Sequence, residues 1–152
     1  MKKILGLVCL ALPAMAMAGD NNQAVSASFH SMYPYAKMHE VQVINKETCV
    51  NFHDNGKKYE AWFTNSGLWE RTERRVPMAM DLPSDVRRGF KNSEYKDYKV
   101  DRMREVTAPG HHNFQVWVEK KDHGKVVKND VLYFNQEGQL IKVDRNSMLA
   151  SL

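Results

Sequence analysis

Cysteine is nearly missing: the 152 residues hold only Cys9 and Cys49. Cys9 falls in an N-terminal segment expected to be removed, so the mature chain keeps one thiol and has no internal disulfide. Its stability must come from a packed core, and the lone Cys49 is expected to be buried and inert rather than paired between chains. Long apolar runs are equally scarce. The longest, Ile4 to Ala18, is shorter than the roughly 20 residues a spanning helix needs and is interrupted by Pro13. Charge of one sign is also in short supply. Once Lys2 and Lys3 are lost, 20 basic residues face 18 acidic ones, and the basic clusters at Arg71 to Arg75, Arg87-Arg88 and Lys120-Lys121 are short or have acids beside them. Nucleic acid is therefore not an expected partner.

Lys2-Lys3, the apolar stretch and the small residues Ala16 and Ala18 together have the layout of a secretory signal peptide. A positive start stays on the cytoplasmic side, and small residues fit the peptidase pocket. Residues 1–18 are read as the signal, with cleavage between Ala18 and Gly19. Cys9 follows Val8 where a lipoprotein signal wants a small residue, so no lipid or other stable membrane anchor is expected. The mature protein is assigned to the periplasm or the exterior. Residues 19–152 have the length of one domain.

Self-similarity is the clearest internal signal. Trp62-Phe63-Thr64-Asn65-Ser66-Gly67-Leu68-Trp69 is echoed by Tyr133-Phe134-Asn135-Gln136-Glu137-Gly138-Gln139-Leu140, an aromatic-Phe pair followed by three polar or small residues, glycine, one further residue and a large apolar residue at constant spacing. Each reads as a strand, a turn in which glycine supplies positive φ, and a return strand. Ahead of each copy lies a short amphipathic helix, with Val25, Phe29 and Met32 on one and Leu82, Val86 and Phe90 on the other. Pro34 should stop the first, and Pro83 stands where the second can begin. Period-two alternation then marks strands at Val41 to Val43, Thr48 to Phe52, Tyr59 to Phe63, Tyr98 to Val100, Phe114 to Val118, Val131 to Phe134 and Leu140 to Val143. Asp54-Asn55-Gly56 and Asp122-His123-Gly124 supply hairpin turns.

The predicted fold class is α+β: two tandem helix-plus-four-strand repeats, about 22–76 and 81–145, forming one antiparallel sheet with both helices on one face. The helices, Tyr33-Pro34-Tyr35-Ala36, the strands and the Phe63 to Gly67 and Phe134 to Gly138 turns resemble the PepSY-like family of exported bacterial proteins. That family is similar in fold to the beta-lactamase inhibitor protein, whose tandem repeats form a concave sheet that grips an enzyme. The resemblance implies a binding module and, since PepSY domains are proposed to restrain proteases, an inhibitor. The inhibitor protein uses disulfides, which the single Cys49 here does not permit.

Catalytic constellations are missing. Cys49, Asn51 and His53 share one strand face, but residues i and i+4 stand about 13 Å apart along a strand, far beyond hydrogen-bond reach. His111-His112 point opposite ways on an extended chain, lack companion ligands and are assigned to a polar loop. No nucleophile elbow, phosphate loop or zinc-protease helix occurs. The chain is read as a non-enzyme with no cofactor and no metal.

Strand parity gives the positive lead. With Val50, Phe52, Ala61, Phe63, Phe114, Val116, Val118, Leu132 and Phe134 turned toward the helices, Trp62, Trp117 and Tyr133 emerge on the other face among Glu60, Gln115 and Glu119. These three aromatics are the candidate anchors for an exported protein or peptide partner. The same residues would instead cover the sheet, meet a second copy, or serve a periplasmic small-ligand carrier, and sequence leaves these open.

Overall fold

The computed structural model describes residues 18–146, so most of the signal segment lies outside the described residues. Ala18 and Gly19 open the first helix, α1, which runs Ala18–Met32. Four strands follow, β1 (Lys37–Ile44), β2 (Glu47–Asp54), β3 (Lys57–Thr64) and β4 (Trp69–Arg75). A 3-10 turn (Ala79–Asp81) and helix α2 (Ser84–Asn92) lead to β5 (Lys99–Ala108), β6 (His111–Asp122), β7 (Lys125–Phe134) and β8 (Leu140–Asn146). All eight strands form one antiparallel sheet in chain order. The fold is α+β.

Turn chemistry explains the tight hairpins. Asn55 and Gly56 have φ of 48° and 73°, and His123 and Gly124 have 47° and 79°. Two successive positive φ values are what a two-residue type I′ turn requires. The longer turns after β3 and β7 repeat one another bond for bond. Thr64 N–H donates to the Leu68 carbonyl at 2.9 Å and Gly67 N–H to the Thr64 carbonyl at 2.9 Å. Asn135 N–H donates to Gln139 at 3.0 Å and Gly138 N–H to Asn135 at 3.1 Å. Both glycines have positive φ and lie against a helix. A Cβ on Gly67 would meet the Ala24 carbonyl carbon at 2.9 Å, and one on Gly138 would meet the Asp85 oxygen at 2.1 Å.

Two apolar clusters result. Val25 and Phe29 of α1 pack with Val50, Phe52, Ala61 and Phe63, with Tyr33 and Tyr59 at the margin. Leu82 and Val86 join Val76, Tyr95, Met103, Phe114, Val116, Val118, Leu132 and Phe134, with Phe90 against them. Every strand residue expected to point inward is buried. Met32, expected on the apolar helix stripe, is instead 39% exposed. The position one turn beyond Phe29 is taken instead by Tyr33, whose ring lies 4.6 Å from that of Phe52. Leu82 also differs in detail, since it precedes α2 in extended conformation and Pro83 is the cap residue.

Polar side chains occupy the region between the clusters. Tyr33 and Thr72 hydroxyls lie 2.6 Å apart, the Trp69 indole donates to Thr72 at 3.0 Å, and Arg74 pairs with Glu105 at 2.6 Å. Here β4 and β5 pair only over Thr72–Arg75 and Arg104–Thr107, four positions, as few as between β3 and β4.

Candidate functional site

Residues alternating with the buried set line the opposite side of the strands, and their register builds the candidate site. Cys49, Trp62 and Arg71 lie in one cross-strand row. Arg75, Arg104, Gln115, Tyr133 and Lys142 form another, and Arg102, Trp117, Val131 and Asp144 a third. Each candidate aromatic is half-buried and has a cation beside it on the neighbouring strand. The Arg71 guanidinium sits 4.4 Å from the Trp62 ring centre, Arg102 lies 4.5 Å from Trp117, and the Lys142 ammonium lies 4.9 Å from Tyr133. These are cation–π distances. The aromatics are thus covered partly by basic side chains rather than rising bare from a polar rim.

They also do not form one stripe. Trp117 and Tyr133 are diagonal neighbours on β6 and β7, whereas Trp62 on β3 stands three strands from Trp117, about 14 Å at ordinary strand spacing. The strands between carry charge. Arg71 bonds Glu47 at 3.2 Å and Glu73 at 2.8 Å, while Arg104 bonds Glu73 and lies 3.9 Å from Glu60. Glu60 and Glu73 are direct cross-strand partners, a repulsive placement offset by these arginines. The Arg71 hydrogen bond holds the Glu47 carboxyl below its ordinary pKa.

Tyr133 donates its hydroxyl to Asp144 at 2.8 Å. Burial, then that hydrogen bond and the Asp144 charge, push the phenol up to about 12. Asp144 is held low chiefly by its hydrogen bond with Lys142 and secondly by Tyr133. The Trp62 Nε1–H is shielded and has no acceptor among the described residues. An unpaired shielded donor is costly, and an incoming acceptor would relieve it.

Cys49 is free and buried, beside Trp62 in the register. Burial pushes its thiol up to about 11, with the charges of Glu60 and Glu73 adding to the shift. His53, two residues beyond Asn51, is engaged by His39, whose Nε2 lies 2.5 Å from His53 Nδ1. Position 39 is the extra residue of a bulge in β1, which aims its ring at His53. His111 and His112 belong to β6 rather than to a polar loop, because Pro109-Gly110 closes a tight turn directly before them. His112 Nε2 lies 2.9 Å from Glu105. The charge network and the His39–His53 pair escaped sequence reasoning, since they depend on pairing register across strands and on a bulge without a sequence mark.

Residues 45–142 match the family model described as "Putative beta-lactamase-inhibitor-like, PepSY-like". The chain belongs to this family. Among solved structures, a DUF2874 family protein from Bacteroides ovatus is 25% identical, with TM-score 0.72 over 84% of this chain and 89% of the other. A BLIP-like protein from Bacteroides fragilis is 23% identical, with TM-score 0.74 over 86% and 89%. A third, from Bacteroides eggerthii and described as "putative periplasmic", is 20% identical, with TM-score 0.67 over 82% and 88%. No curated protein matches the chain. Family membership agrees with the resemblance carried by the repeated aromatic-glycine turns. No helix among the described residues is long and apolar enough to cross a membrane.

Proposed function

We propose that the protein is an exported, non-catalytic module that binds another exported protein or peptide through the sheet face bearing Trp62, Trp117 and Tyr133, acting as an inhibitor of a protease or other enzyme. The observation that carries this reading is the set of three half-buried aromatics, each oriented by a cross-strand cation on one broad face. Aromatics held this way lose little freedom on binding, and anchors of this type dominate interface energies. The inhibitor-like description of the family supports the same reading. In this proposal residues 1–18 are a signal peptide cleaved before Gly19, and the mature chain works in the periplasm or outside the cell.

The proposed architecture is a tandem repeat with both helices on the side opposite the aromatics. The matching turn hydrogen bonds, the two glycines set against α1 and α2, and the two helix-centred clusters support it. A small-ligand carrier is the second reading. It draws on a groove of about 400 Å³ between α1 and β1, lined by Val25, Met38, Val41 and Val50.

Site-specific photocrosslinking separates the two. A benzophenone side chain at Gln115, between the anchors, should yield protein adducts in an envelope extract, and one at Lys91 on α2 should not. Adducts from Lys91 alone would contradict the sheet-face reading. Co-purification of a small molecule that is lost on Val41→Trp would favour the carrier.

A further inference from the structure

Two arginines near the middle of the sheet, Arg75 and Arg102, have no carboxylate partner among the described residues. Arg75 and Arg104 are direct cross-strand partners, and Arg102 stands two residues before Arg104 on the same side of β5. The three line one concavity of about 310 Å³ with Asp101 and Met103. Like charges placed opposite one another across strands are destabilising unless something offsets them.

The offsets are unequal. Arg104 is committed to Glu73, with Glu60 at 3.9 Å. Arg102 is steadied by the Trp117 ring at 4.5 Å, a contact that orients the guanidinium without neutralising it. Arg75 is exposed and forms no ion pair among the described residues, and neither does Asp101. Two guanidiniums with unused donors therefore flank a third on an open surface. A guanidinium fork matches a carboxylate in two parallel hydrogen bonds, which an ammonium does not do.

We infer that the Arg75–Arg102–Arg104 concavity receives carboxylates from an acidic segment of the protein partner. This rests on the sheet-face reading and adds the chemistry of the partner: Asp- or Glu-rich chain docking at the seam between β4 and β5, beside the Trp117 anchor. Arginine clusters are a recurrent device for reading acidic motifs. The location suits both roles, since a segment crossing this seam passes between the Trp62 and Trp117 sides of the sheet.

The test uses a fluorescein-labelled hexaglutamate peptide added to the protein, followed by anisotropy and by backbone amide shifts. Shifts should centre on Arg75, Arg102 and Arg104, and affinity should fall steeply between roughly 20 and 200 mM salt as screening grows. Arg75→Ala/Arg102→Ala should weaken binding at least about tenfold, the loss of two charge-assisted contacts. Lys120→Ala/Lys121→Ala, which changes a separate basic pair, should not. Absence of binding, or equal loss in both variants, would overturn the inference. So would inorganic phosphate competing at the peptide's own concentration, which would mark the concavity as a site for small free anions. An envelope protein retained equally by native and Arg75→Ala/Arg102→Ala baits, yet lost with Trp62→Ala/Trp117→Ala, would remove the acidic-partner inference while leaving the sheet-face reading intact.

Discussion

Cys49 illustrates how one residue's chemistry is set by its row in the sheet. It is 3% exposed, and burial with nearby carboxylates raises its thiol to about 11. Near neutrality such a thiol holds roughly 100-fold less thiolate than an ordinary one. Iodoacetamide at pH 8 should therefore modify the native protein at least about 100-fold more slowly than the urea-unfolded chain, and equal rates would show that the thiol is accessible. Its burial was expected because the mature chain offers the thiol no internal partner, although alternation alone turns Cys49 to the face opposite Val50 and Phe52, beside Trp62. The cations over Trp62, Trp117 and Tyr133 were not legible. Alternation fixes which side a residue faces, but the identity of its neighbour depends on register across a hairpin, and bulges between Met38 and Glu40, Trp62 and Phe63, and Val100 and Arg102 shift that register.

At the scale of elements, the turns and the sheet edge make separable predictions. Gly56 and Gly138 have similar positive φ, yet a Cβ on Gly56 meets nothing within 4 Å, whereas one on Gly138 would strike the Asp85 backbone at 2.1 Å. Gly56→Ala should cost about 1–2 kcal/mol from backbone strain alone. Gly138→Ala should cost distinctly more, because α2 must also move off the sheet, and urea unfolding of the two variants measures the difference. The paired glycine turns were visible in the sequence as a repeat, but their contact with a helix was not, since only packing reveals it. On the edge, burial lowers the His53 pKa from the ordinary 6.5, with His39 and Lys58 adding repulsion. The unfolded chain then binds the extra proton more readily than the folded one. The His53 contribution is complete above pH 6.5 and fades as pH falls through the lower folded value. Amide exchange, corrected for its intrinsic pH dependence, should show β1 opening more often at pH 5 than at pH 7. An unchanged opening equilibrium would contradict the His39–His53 contact.

For the molecule as a whole, the α+β class, the inward strand residues and every strand but β4 were readable because alternation, turn residues and helix periodicity agree with one another, whereas β4 is a run of charged residues with no apolar alternation. The site was readable only in part. Trp62, Trp117 and Tyr133 alternate along their strands with the buried residues, but stand as two separated groups with an ionic network between them, so a partner bound across all three would span charge as well as aromatic surface. Partner binding by these three aromatics is measured by affinity capture from an envelope extract, using the native chain and a Trp62→Ala/Trp117→Ala bait whose folding is verified by circular dichroism. A protein should be retained by the native bait and lost with the variant, since truncating a central aromatic anchor typically costs about 2 kcal/mol or more. Retention of the same proteins by both folded baits, or of none by either, would contradict it.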